Sequence, residues 1–145
     1  MTRSTVAPET AGAVRSPALQ ALRVLAVLST LGVLYQAATA GQILMRSEAA
    51  EEWHGGGAIA LHVLTGLMTL AAAWYARTSR APWWPAVLSA VVFVATFVEA
   101  SYGHGRTLYI HVPLAVVLTV GTVWVTAWAF TTRSASRTAT HSAGH

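Results

Sequence analysis

Four long apolar stretches dominate this chain, at 18–45, 57–76, 83–101 and 108–130, and between them they carry only one basic residue, Arg23, and one acidic residue, Glu99. A helix rises ~1.5 Å per residue, so roughly 20 residues cross the ~30 Å hydrocarbon layer of a bilayer. Each stretch has that length. Periodicity alone does not separate such segments from buried soluble helices, but length and the near-absence of charge do. Soluble domains carry about a quarter charged residues; here charged residues make up 10% of the chain and hydrophobic ones 54%. The pattern predicts an all-α integral membrane protein, a four-helix bundle over residues 18–130. The segments 1–17 and 131–145 are rich in Ser, Thr and Ala and hold too little apolar side chain to build a core, so they are expected to be disordered. Residues 46–56 read as a polar, acidic loop.

Orientation follows from the arginines, because basic residues stay on the cytoplasmic side of short loops. Arg3, Arg15, Arg23, Arg77, Arg80, Arg133 and Arg137 flank one side; Arg46 and Arg106 flank the other, together with Glu48, Glu51 and Glu52. Both termini are therefore expected in the cytoplasm and the chain in the plasma membrane. Trp74, Tyr75, Trp83, Trp84 and Trp128 mark the inner interface and Trp53, Tyr102 and Tyr109 the outer one, as aromatic belts do. The basic residues are all arginine and scattered singly, whereas nucleic-acid binding needs a clustered basic face. The chain has no cysteine. That excludes disulfides, thiolate metal sites, iron–sulfur clusters and covalent c-type haem.

Two histidines fall inside apolar stretches: His62 in the second and His111 in the fourth. Both stretches enter from the outer side, which places the two imidazoles at similar depth. If helices 2 and 4 face each other, the rings share a space that suits the axial ligation of a b-type haem iron. Gly66 and Ala115, one turn below each histidine, would leave room for the macrocycle, and Thr65, Thr69, Thr119 and Thr122 continue a small, weakly polar stripe. The plainer alternative is that these histidines bond a neighbouring helix across an interface of small residues. Polar groups within a bilayer are costly and commonly functional, which favours a ligand role. His54 and His104 precede His62 and His111 by eight and seven residues, roughly one helical face at about 100° per residue. They are expected at the outer mouth, as exposed loop residues, as partners of haem propionates, or with Glu99 as ligands of copper or zinc. Glu99 otherwise snorkels to the interface or partners an imidazole N–H, and Pro113 can alter the aim of His111.

The segments His62-Val-Leu-Thr-Gly-Leu and Ile110-His111-Val-Pro-Leu-Ala, with Thr39-Ala40-Gly41-Gln42 at the end of the first stretch, resemble the four-helix haem-binding half of the haem A synthase family. The resemblance covers roughly residues 20–130 and implies haem b held by His62 and His111 near the outer face. It departs from the family in two respects. Such proteins carry two four-helix halves where this chain has one, and Ile59 stands where the family's glutamate precedes the second-helix histidine.

Three functions are compatible with this reading. The first is a small membrane b-type cytochrome for electron transfer or redox sensing, with a redox partner or quinone. The second is a non-haem metal or small-ligand carrier, or an accessory subunit of a membrane complex. The third is a haem-modifying enzyme, for which a homodimer would supply the second half. The orientation itself is testable, since the chain has no cysteine of its own. Ala49→Cys should react with a membrane-impermeant maleimide in intact cells, and Ser79→Cys only after permeabilisation.

Overall fold

The computed structural model describes residues 16–45, 48–103 and 105–132. Four helices account for almost all of them: α1 (Pro17–Leu44), α2 (Glu48–Ser79), α3 (Trp84–Ser101) and α4 (Leu108–Thr131), with a short 3₁₀ turn at Gly105–Thr107 leading into α4. Each of the four segments is long and apolar enough to cross a membrane. No strand occurs among the described residues. The terminal segments 1–15 and 133–145 and residue His104 lie outside the described residues.

Local chemistry explains the helix ends. Ser16 caps α1, its hydroxyl accepting from Leu19 N at 3.4 Å, and Pro17 follows in the first turn, where its missing N–H costs nothing. Pro85 opens α3 in the same way. The second helix departs from expectation. It begins at Glu48, nine residues ahead of the apolar stretch, so most of the segment read as a loop is helical. Glu48-Ala-Ala-Glu-Glu consists of strong helix formers, and acidic side chains in a first turn complement the helix dipole. The Gly55–Gly57 run does not interrupt it. A Cβ on Gly57 would lie 2.7 Å from the Tyr35 ring, so glycine there lets α1 and α2 approach closely.

The helices alternate in direction around the bundle. Each packs on its sequence neighbour and α4 closes against α1, so α2 and α4 occupy one diagonal, α1 and α3 the other. Contacts set two ends apart. At the terminal end, where α1 begins and α4 finishes, Arg23 reaches across to donate to the carbonyls of Ala129 and Thr132, both at 2.9 Å. Its guanidinium also lies 5.4 Å from the Phe130 ring centroid. Those carbonyls have no partner within α4, so a charged donor from α1 caps α4 and ties the first helix to the last. Trp128 stacks edge-on with Tyr75 and Trp84 at the same end. At the loop end α1 runs into α2 and α3 into α4.

Packing is inverted relative to a water-soluble protein. Ser29, Thr65, Ser89 and Thr122 are fully buried, while Ile59 is 70% exposed and Leu70 67%. Small residues and hydroxyls face inward because close backbone approach, not hydrophobic exclusion, holds helices together in lipid. Most of the threonine hydroxyls bond to a carbonyl one turn back, as Thr65 does to Leu61 at 2.8 Å and Thr122 to Leu118 at 3.0 Å. Thr30 and Thr126 also meet across the α1–α4 seam at 3.0 Å. The α3–α4 seam is tightest at Gly121, where a Cβ would fall 2.6 Å from Val92 Cγ2. Valine is short and stiff, and Val92 is buried, so Gly121→Ala should destabilise the bundle by about 1–3 kcal/mol. Gly41→Ala, with nothing within 4 Å, should change it by less than about 1 kcal/mol. Thermal unfolding of the two variants in detergent checks the contrast.

Candidate functional site

All four helices contribute polar side chains to one cluster at the loop end. Gln36 and Thr39 come from α1, His54 from α2, Glu99 from α3 and His111 from α4. The rings of His54 and His111 face each other across the bundle diagonal, their centroids 6.3 Å apart and their planes inclined at 56°. The earlier start of α2 produces this pairing, because it places His54 on a helix, level with His111.

Hydrogen bonds hold both rings through Nδ1. The Thr39 hydroxyl can donate to the carbonyls of Tyr35 and Gln36, both at 3.1 Å, and its oxygen lies 2.9 Å from His54 Nδ1, a bond that either atom can donate. The Gln36 amide holds the same turn of α2 by donating to the His54 carbonyl at 3.1 Å. His111 Nδ1 lies 3.1 Å from the Glu99 carbonyl oxygen and 3.3 Å from Glu99 Oε1. A carbonyl can only accept, so this Nδ1 is the donor and, in the neutral ring, Nε2 of His111 is the bare acceptor. No hydrogen bond among the described residues engages Nε2 of either ring. An imidazole pinned through Nδ1–H to oxygen, with Nε2 left bare, is the form that binds a metal.

Two more acceptors at this end are buried without a donor: Gln36 Oε1 and Glu99 Oε2. Glu99 does not snorkel outward, since its side chain is only 14% exposed and His111's only 16%. The cluster thus leaves two buried oxygens without a donor among the described residues.

The other sequence-predicted residues are placed differently. His62 lies eight residues along α2 from His54, about 12 Å of rise, and belongs to the α2–α3 seam, not to the pair. Its Nδ1 donates to the Ala58 carbonyl, and its ring meets Phe97 edge-on at 4.2 Å between centroids. Gly66, expected to open a slot, is covered by the Phe93 ring, which a Cβ would meet at 3.1 Å. Ala115 is half-buried on α4, with its carbonyl taken by the Thr119 hydroxyl. The structure therefore brings His54, and not His62, beside His111. Pro113 does not break α4, which is continuous through it. Among the described residues no three His, Asp or Glu side chains form a common metal-binding group. The signal that could have found the pair was the helix-forming run at 48–52, which carries α2 far enough to include His54.

No protein-family model matches the chain, and neither a curated protein nor a solved structure matches it. The hydrogen-bond pattern predicts that ¹⁵N-histidine NMR of the metal-free protein will find the neutral rings of His62 and His111 protonated at Nδ1 and bare at Nε2. Thr39→Val should shift the ring signals of His54 and leave those of His62 in place.

Proposed function

We propose that this chain is a small membrane cytochrome that holds haem b between His54 and His111, for electron transfer or redox sensing. The observation that carries the reading is the facing pair itself: two imidazoles on diagonal helices, each fixed through Nδ1, each with Nε2 free. Two metal–nitrogen bonds of about 2 Å, plus roughly 1 Å from each nitrogen to its ring centroid, would span about 6 Å with both Nε2 atoms turned to one iron. The observed separation is 6.3 Å. Two protein ligands suit a haem iron, whose macrocycle supplies the equatorial nitrogens, better than a bare divalent ion that wants three or four. When bound, haem supplies one-electron chemistry. The chain's own residues orient the rings (Thr39, Glu99) and place the Glu99 carboxyl group beside His111.

The same reading places both termini on the cytoplasmic side of the plasma membrane, on the arginine count of seven flanking positions against two. The histidine pair then lies at the outer end of the bundle. A second reading, a copper or zinc ion at the same pair, is favoured by the unpartnered Gln36 Oε1 and Glu99 Oε2. A spectrum and a metal analysis separate the two.

Protein expressed with ample haem and purified in detergent should show sharp Soret and α bands in a reduced-minus-oxidised difference spectrum. His54→Ala and His111→Ala should each abolish them, and His62→Ala should not. A colourless parent under these conditions would remove the cytochrome reading; stoichiometric copper or zinc in that colourless protein would establish the second.

A further inference from the structure

We infer that His62 is the head-group site of a membrane-soluble hydroquinone that enters from the lipid between α2 and α3. The apolar stretch of α2 begins at Gly57, so His62 sits five residues inside it, about 7 Å of helix rise below its start. An imidazole at that depth is costly unless it serves a ligand or a partner. Among the described residues no other helix gives its imidazole a hydrogen bond, and Nδ1 bonds to Ala58 within its own helix.

That contact also selects the ligand. The Ala58 carbonyl can only accept, so Nδ1 carries the proton and Nε2 is a bare acceptor in an apolar setting. The matching group is a hydroxyl donor that dissolves in lipid. Phe97 stands edge-on to the imidazole at 4.2 Å and Phe93 edge-on to Phe97 at 5.1 Å, a wall of rings that suits a flat aromatic head. Gly66, one turn deeper, lets Phe93 approach α2 and closes the floor. The seam is open to lipid on its outer side, where Ile59, Val63 and Phe97 are each at least half exposed. A phenolic hydroxyl satisfies Nε2, its ring packs on Phe97, and an isoprenoid tail continues into the bilayer. A quinone offers only carbonyl acceptors and gains no bond from a bare Nε2. The site therefore discriminates for the reduced form. As a binding site it stands apart from the histidine pair and does not depend on what that pair holds.

The test measures binding of decyl-ubiquinol under anaerobic conditions to the full chain in lipid nanodiscs, by equilibrium dialysis. The wild type should bind it, and bind its dimethyl ether about tenfold more weakly, the cost of one lost hydrogen bond. His62→Leu should weaken hydroquinone binding about tenfold, with any haem bands unchanged. His62→Gln, whose Oε1 can accept, should retain it and show that the Leu variant's loss is not a folding defect. Failure of the wild type to bind, equal binding by wild type and His62→Leu, or displacement of the hydroquinone by diacylglycerol (a hydroxyl without a ring) would each overturn the inference. A colourless protein that binds hydroquinone through His62 fails the cytochrome reading alone, and a coloured protein that does not bind fails this one alone.

Discussion

A backbone amide or carbonyl left without a partner in hydrocarbon costs several kcal/mol, and this bundle is organised around that penalty. Helices satisfy every interior amide within one segment, which leaves only the ends to solve. Ser16 and Pro17 open α1 without waste, and Arg23 takes up carbonyls at the far end of α4 from a neighbouring helix. The buried threonines turn their hydroxyls back onto their own helices instead of into the core. With those needs met, the interior can be small and close-packed while the large aliphatic side chains face outward. The Gly57 and Gly121 contacts show how near the backbones come.

Against that background the loop-end cluster is exceptional, because there polar atoms are concentrated and not all are satisfied. Every helix sends a polar side chain to it, so the cluster braces the end of the bundle where α1–α2 and α3–α4 connect. The same hydrogen bonds that brace it also orient the imidazoles. A glutamate carbonyl that can only accept makes Nδ1 the donor nitrogen of His111, and the Thr39 hydroxyl holds His54 through its own Nδ1. Structure and chemistry are coupled at this point: the bonds that hold the rings still are the ones that leave Nε2 free. Under the proposed function those two nitrogens would hold the iron, while His62 lies apart from them on the α2–α3 seam against Phe97.

The two ends divide the labour physically. The terminal end carries Arg23 and the Tyr75–Trp84–Trp128 aromatic cluster, groups that anchor at an interface and lock the first helix to the last. The loop end has no such anchor in its interior and holds titratable groups instead. Burying Glu99 beside His111 is offset by the imidazole Nδ1, 3.3 Å from Oε1, while Oε2 is left without a hydrogen-bond partner.

The all-helical class and the four apolar segments were legible in the sequence, because uncharged length is a property of the chain itself and lipid demands it whatever the packing. The histidines were also legible as the unusual residues, since an imidazole in an apolar run stands out without any structure. Their partnership was not. Hydropathy ends α2 at Gly57, while helix propensity and the dipole carry it back to Glu48, and only the packed bundle decided between them. That extension makes His54 the neighbour of His111 and leaves His62 to the α2–α3 seam. Gly66 shows the same limit: a small residue reads as a gap in sequence, but Phe93 from another helix fills it. Composition and hydropathy determined what the chain can dissolve in and how many times it crosses. Which imidazoles meet, and which nitrogen of each is held, depended on helix lengths and cross-helix hydrogen bonds, which exist only once the four helices are side by side.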